Sequence, residues 1–416
     1  MRSFTSLSTF FISILCLQPC GAEEPRETGL SRAIVFEQAK QLSEIGRKMF
    51  SDPRLSGSGK LSCASCHDPQ NAFSPANDLA VQMGGVNLDV SAFRAAPTLT
   101  YKQATPQFTE HYYESDDEGD ESVDNGPSGG LTWDGREDRR SGQALIPLLS
   151  PLEMANKDHA TLSATIEQFY GPELRSVAGN PLAQAKNDYL AVATQALDAY
   201  QQESTLFYPF SSKYDTFLQG KVELNAIEKR GLELFEAADK GNCASCHVSR
   251  PSKTNTPPFF TDYGMIGIGL PRNRALTQNA DPTFYDLGLC GPLRKDFMDH
   301  PAYCGLFKTP TLRNVARRKS FFHNGSVKDL RQAVAFYFER DTKPEKWYPQ
   351  DPNGMVQKYD DLPPAYRENM NNEPPFGKQP GDQPQVSDDD IDAIVTFLKT
   401  LNDGYDISQQ PASMTR

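Results

Sequence analysis

The pentapeptide Cys63-Ala64-Ser65-Cys66-His67 recurs in the second half of the chain as Cys243-Ala244-Ser245-Cys246-His247. A Cys-x-x-Cys pair alone fits a redox dithiol or half a zinc site. The adjoining His points to covalent haem: the two thiols add to vinyl groups along one porphyrin edge, and the next residue sets its imidazole under the iron. Two motifs therefore imply two attached haems (heme c). Cys63, Cys66, Cys243 and Cys246 are the attachment points, and His67 and His247 the proximal iron ligands. Zinc or thioredoxin-like chemistry is the competing reading of the cysteines.

The motifs sit in a degenerate repeat. Gly46-Arg-Lys-Met-Phe50 precedes the first and Gly231-Leu-Glu-Leu-Phe235 the second, each reading as an amphipathic helix followed by a Gly-containing turn. Each half closes on another periodic segment. Tyr189, Ala193, Ala196, Leu197 and Tyr200 share one helical face; so do Ile391, Ile394, Val395, Leu398 and Leu401, with Ser387 as N-cap and Gly404 beyond the end. Strand signals are sparse. These features predict a mainly α chain with long irregular loops, built as two cytochrome c-like domains over residues 23–205 and 206–416, with the crossover near 204–220. A length of 416 residues exceeds what one core usually serves. Residues 113–130, acidic and Gly-rich, read as a solvated loop, and the Pro-rich stretch 340–386 as a wrapping of the second domain.

Export is expected from the N-terminus. Arg2, the apolar run Leu7 to Leu17, and the small residues Gly21 and Ala22 make a signal peptide over residues 1–22, too short to span a bilayer permanently. An interfacial anchor, or lipid attachment at Cys16 or Cys20, is the alternative. No later segment reads as a membrane span, so a periplasmic location follows. Removing residues 1–22 takes away Arg2 alone among the charges, leaving 41 basic against 54 acidic residues, net −13. Haem propionates would deepen that charge, which argues against nucleic acid as a partner. Cys290 and Cys304 remain outside the motifs, as a disulfide in an oxidising compartment or as two buried thiols.

Two further blocks carry a resemblance: Trp133-Asp134-Gly135-Arg136 followed by Gln143, Pro147 and Glu153-Met154, and Thr309-Pro310-Thr311-Leu312-Arg313-Asn314-Val315 followed by Phe322-His323-Asn324-Gly325. In residue type and spacing the chain resembles the bacterial di-haem cytochrome c peroxidase and MauG superfamily over nearly its whole mature length. The resemblance implies that the His67 haem is the peroxide site, with Gln143, Pro147 and Glu153 on its distal side, and that Trp133 relays electrons between the haems. Such a carboxylate can move a proton from the near to the far oxygen of a peroxide. Ser150-Pro151-Leu152-Glu153 also reads as a capping box with Pro at the first helical position, a role compatible with catalysis. Trp133 also reads as an ordinary core aromatic.

The chain departs from the peroxidase branch in three places. Residues 78–90 hold no His that could close the first haem, which is therefore expected to stay five-coordinate; Met83, Gly84 and Gly85 lie there. Fourteen residues after His323, where the peroxidases place a Met ligand to the second haem, stands Tyr337, as in MauG-like members. Its face, shared with Val327, Leu330 and Val334, fits a ligand or a packed core Tyr. The family's calcium site is in doubt, since Ala95, Arg318 and Ser320 fall at its ligand positions. His111, His159 and His300 read as ordinary side chains, His323 as structural, and Arg313 as either a propionate partner or surface cover.

Together these readings point to a periplasmic di-haem peroxidase. It would reduce hydrogen peroxide at the N-terminal haem with electrons arriving through the C-terminal haem from a small donor such as a c-type cytochrome. The alternatives are a MauG-like enzyme that uses peroxide-derived high-valent iron to oxidise Tyr or Trp of a partner protein, and a plain electron carrier. A carrier has no need of an acid–base group over an open iron.

Overall fold

The computed structural model describes residues 30–113 and 123–409. The export signal expected over residues 1–22 and the acidic run 114–121 lie outside them. Seven helices of ten or more residues carry the described fold: α1 (Arg32–Phe50), α2 (Arg140–Leu149), α3 (His159–Arg175), α4 (Tyr189–Tyr200), α5 (Ala226–Glu236), α6 (Leu330–Glu339) and α7 (Asp388–Lys399). The sheet content is two short antiparallel pairs, β1 (Met83–Gly84) with β2 (Val90–Ser91), and β3 (Met265–Ile266) with β4 (Phe307–Lys308). The chain is thus mainly helical, as the period of its apolar residues requires.

The same crossing occurs twice. The leading helix α1 packs on the closing helix α4, and α5 packs on α7. Leu42, Ile45, Met49, Leu162, Ile166, Ala196 and Leu197 form one core cluster. Phe235, Val334, Phe338, Ile391, Ile394, Phe397 and Leu398 form the other. Each crossing is closest at a glycine, Gly46 against the Ala196 carbonyl and Gly231 against the Ala393 carbonyl, where no Cβ fits. Side-chain caps fix the closing helices: Asp188 accepts from the Ala191 amide at 3.1 Å, and Ser387 forms a capping box with Asp390. In the crossover segment Phe207 packs into the first cluster and Tyr214 into the second.

Two loop expectations change. Within 113–130 only Tyr113, Val123, Asp124 and Asn125 are exposed among the described residues; Pro127 to Gly130 are buried, because Ser128 bridges both Thr109 and Gly264. The 340–386 stretch wraps the second half but also enters its interior. Tyr348 packs with Leu270 and Phe336, and buried Arg340 holds Asp341 at 2.7 Å under the Phe376 ring. Cys290 and Cys304 form a disulfide. No helix among the described residues is long and apolar enough to cross a membrane.

Candidate functional site

Both Cys-x-x-Cys-His motifs are single helical turns, Cys63–Cys66 and Cys243–Ser245, and in each the His amide donates to the carbonyl of the first Cys at 2.9 Å. The next contact also repeats. The Nδ1 of His67 lies 3.2 Å from the Phe73 carbonyl, and that of His247 lies 2.9 Å from the Phe260 carbonyl. With Nδ1–H donating to a carbonyl, Nε2 is left with its lone pair free for a metal. Burial pushes both imidazoles down to about 4, so each is neutral at physiological pH, as a ligand must be.

The two accepting carbonyls are held alike. Phe73 and Phe260 adopt left-handed φ of 50° and 55°. Behind them, Thr98 Oγ1 donates to the Ala72 carbonyl at 2.7 Å and Thr311 Oγ1 to the Phe259 carbonyl at 2.6 Å. Pro97-Thr98-Leu99 and Pro310-Thr311-Leu312 are therefore equivalent copies, a second block of the repeat that the sequence reading did not pair.

The cysteines fit haem attachment better than the competing chemistries. Burial pushes the Cys63 and Cys243 thiols up to about 12 and Cys66 and Cys246 up to about 11, the reverse of what a dithiol oxidoreductase needs. No group of three or more His, Cys, Asp or Glu side chains that could hold a metal ion exists among the described residues, which removes the donor set of a zinc site. Cys243, Cys246 and His247 instead line an apolar recess with Leu312, Val334 and Leu398, a shape and polarity suited to a porphyrin.

Tyr337 projects from α6 into that recess. Its ring stacks on Phe376 at 5.5 Å between centroids, while its hydroxyl makes no hydrogen bond to any described residue. Burial pushes its phenol pKa well up. A core Tyr ordinarily pairs its hydroxyl; this one presents it to the recess.

Gln143 and Pro147 lie one turn apart on α2. Glu153 follows in a tight turn, and here the capping-box expectation fails. Ser150 is the C-cap of α2, and residues 151–154 turn back without starting a helix. The Met154 amide returns to the Pro147 carbonyl at 3.1 Å, which leaves Glu153 no helix to cap. The turn is clamped from outside instead. Gly85 donates to the Glu153 carbonyl at 2.9 Å and Gly57 to the Met154 carbonyl at 2.7 Å. Gly84 abuts the Leu152 and Glu153 carbonyls so closely that a Cβ would not fit. The Met83–Gly85 segment, empty of His, thus buttresses Glu153. Glu153 is exposed, yet the protein surrounding its carboxyl raises that group's pKa against a hydrogen bond from Ser150. It also acts electrostatically on Cys66, which sets it near the first motif.

Trp133 lies between the motifs. Its Nε1 donates to the Ala95 carbonyl at 2.8 Å, just before the Pro97-Thr98 support of His67, and its ring lines the His247 recess. The adjoining Asp134 is fully buried and accepts from Arg94 at 2.6 Å and Arg136 at 2.8 Å. Burial alone would push its carboxyl up, but the two guanidinium groups hold it down to about 2. Arg94 also grips Asp286 at 2.6 Å, a partnership that nothing in the sequence spacing announces.

Arg313 is neither surface cover nor free for a propionate. It is 1 % exposed, forks onto Asp215 at 2.6 and 2.8 Å, and donates to the Pro258 carbonyl. His323 stacks on Phe307 at 3.5 Å and serves packing, whereas His111, His159 and His300 face Asp124, Asp188 and Asp299 at the surface.

Comparisons with known proteins agree with this geometry. The sequence profile of the family described as di-haem cytochrome c peroxidase matches residues 40–223. The methylamine utilization protein MauG of Paracoccus denitrificans is 31% identical over 398 residues, covering 94% of this chain and 96% of that protein. The chain belongs to the di-haem cytochrome c peroxidase and MauG family. The cytochrome c551 peroxidase of Nitrosomonas europaea is 28% identical over 307 residues, 73% of this chain and 74% of that one. The crystal structure of the diheme peroxidase BthA from Burkholderia thailandensis superposes with a TM-score of 0.77 at 36% identity, covering 89% of this chain and 88% of that one. Membership makes the protein a peroxide-using oxidoreductase of a two-haem family.

The family's calcium site does not fit these residues. Ala95 offers no side-chain oxygen, and its carbonyl is taken by Trp133. The Arg318 guanidinium donates to the Ala96 carbonyl and to the Ser320 carbonyl, each at 3.3 Å, so a cation of the chain itself faces the oxygens an ion would need.

Proposed function

We propose that the protein is an exported di-haem c-type oxidoreductase that reduces hydrogen peroxide at a haem attached to Cys63 and Cys66 and exchanges electrons through a second haem attached to Cys243 and Cys246. Residues 23–205 and 206–416 would form the two haem domains. Bound haem supplies the redox-active iron; the chain supplies ligands, proton transfer and insulation. His67 and His247 each offer a neutral Nε2. Glu153 takes the proton from the near peroxide oxygen and delivers it to the far one, so that two electrons and two protons convert hydrogen peroxide into two waters. Gln143, whose side chain makes no hydrogen bond to a described residue, orients the peroxide, and Pro147 shapes the same face. Trp133 relays electrons between the two sites.

The observation that carries this reading is the clamped Glu153 turn: a carboxylate with a raised pKa, its turn fixed by backbone bonds from Gly57 and Gly85, close enough to the first motif to act on Cys66. A mere electron carrier has no use for it. The signal-like residues 1–22 and the Cys290–Cys304 disulfide support export to the periplasm. The test is hydrogen peroxide consumption by the purified holoprotein, with and without a reduced small c-type cytochrome. Donor-dependent consumption is expected, and no consumption under either condition would refute the reading.

One observation favours a MauG-like role, in which peroxide-derived oxidising equivalents pass to a Tyr or Trp of a partner protein. The unpaired Tyr337 hydroxyl faces the second recess, and a phenolate ligand there would lower the reduction potential and make electron uptake from ordinary donors poor. Peroxide consumption without a donor, accompanied by oxidation of an added tyrosine-containing protein, distinguishes this role.

A further inference from the structure

Three cations line the recess of the second motif, on the side where Pro97 and Thr98 of the first half also line it: Lys102, Lys308 and Arg318. None forms an ion pair with a carboxylate among the described residues. Lys308 donates to the Gly130 carbonyl, and Arg318 to the Ala96 and Ser320 carbonyls. The acidic side chains lining the same recess are already engaged, Asp286 by Arg94, and Asp361 by Asn324 and Arg272. Asp134, the carboxylate nearest in charge to Lys308, is shared by Arg94 and Arg136.

The three act on one another and adjoin the first motif. Arg318 lowers Lys102 and Lys102 lowers Lys308, and Arg318 donates to the Ala96 carbonyl beside the Pro97-Thr98 support of the first motif. Burial is the larger cause throughout: it brings Lys102 down to about 8, Arg318 down to about 10, and Lys308 well below its ordinary value. Buried cations persist only when paired. Three together facing one cavity mark a site for carboxylates that come from outside the chain.

We propose that Lys102, Lys308 and Arg318 form a fixed cationic bridge between the two haem sites that binds haem propionate carboxylates, and that Arg318 takes the place of the family's calcium ion. The inference rests on the di-haem reading and deepens it. A divalent ion there would be removable; a guanidinium is not, because it is part of the chain and always charged. The bridge neutralises propionate charge at both sites and favours ferrous over ferric iron at each.

The test is a spectroelectrochemical titration of the holoprotein as wild type, Lys102→Gln, Arg318→Gln and Arg318→Lys, with haem counted on each sample. Each Gln variant is expected to shift the ferric/ferrous equilibrium of at least one haem about tenfold toward ferric, a fall of roughly 59 mV for a one-electron couple. Arg318→Lys, which keeps the charge, is expected to move it far less, and a chelator is expected to leave the wild-type spectrum and potentials unchanged. Gln variants with two haems and unmoved potentials overturn the bridge. Stoichiometric calcium whose removal shifts the wild-type potentials overturns the replacement by Arg318. A wild-type protein without two haems overturns this proposal together with the functional reading; two haems with no peroxide consumption overturns that reading alone.

Discussion

Replacing Gly231 with Ala sets two effects of opposite sign against each other. In a helix interior the substitution ordinarily gains about 1 kcal/mol of propensity. Here the new Cβ would fall onto the Ala393 carbonyl, 2.7 Å from its carbon and 2.8 Å from the Phe397 Cβ. Backbone is the obstacle, so no flexible side chain can give way; α5 and α7 must move apart. Overpacking of this kind costs about 1–3 kcal/mol and sometimes more, and a backbone clash belongs at the upper end. The net expectation is a loss of about 1–2 kcal/mol. At about 2–4 °C per kcal/mol for a unit of this size, Tm should fall roughly 2–8 °C. Because Phe235, Ile394 and Leu398 of the same crossing line the recess of His247, the visible spectrum of the second haem should change as well. Gly46→Ala, whose Cβ would meet the Ala196 carbonyl, should behave likewise at the first crossing. A thermal melt and an absorbance spectrum read out each variant. A Tm that stays level or rises would refute the close-crossing argument, because propensity would then have won.

Tyr337→Phe removes the hydroxyl that faces the recess and keeps the ring that packs on Phe376. With an open first haem and Tyr337 ligating the second, the oxidised wild type is expected to give one high-spin and one low-spin electron paramagnetic resonance signal, and the variant to lose the low-spin one; a spectrum unchanged by the substitution would make Tyr337 a packing residue. Asp215→Asn leaves the fully buried Arg313 guanidinium without its counter-charge, and denaturant unfolding should show a loss of about 3–5 kcal/mol.

What could be read from the sequence was whatever local chemistry dictates. The Cys-x-x-Cys-His pairs, the apolar periods of α4 and α7 and the Ser387 cap need only near neighbours in the chain, and all lie where the spacing put them. The Ser150–Glu153 pattern misled for the opposite reason. Its residues suit a helix start, but contacts from Gly57 and Gly84-Gly85, distant in sequence, fold it into a turn. The equivalence of Pro97-Thr98 and Pro310-Thr311 was hidden because the loops between motif and block differ in length: 30 residues separate His67 from Pro97, and 63 separate His247 from Pro310. Arg313 was ambiguous because its partner Asp215 lies 98 residues away, and no local rule pairs them. Arg318 stood out only as a misfit at a calcium-ligand position and Lys102 carried no signal; only the fold turns both into one recess.

The central claim, that a peroxide-reactive site is built around Glu153, is tested most directly by stopped-flow mixing of Glu153→Gln with hydrogen peroxide. The amide keeps the side chain's size and leaves the backbone clamps in place, but it cannot carry a proton at neutral pH. The first spectral change after mixing should slow by about a hundredfold or more, the scale of general acid–base catalysis. Haem content and Tm should hold, since Glu153 caps no helix. In the wild type the same rate should fall on the acid side as the carboxyl protonates, at a pH above the ordinary carboxylate range because burial raises its pKa, and the variant should lack that limb. A Gln variant that reacts with peroxide at the wild-type rate, with both haems in place, would contradict the account.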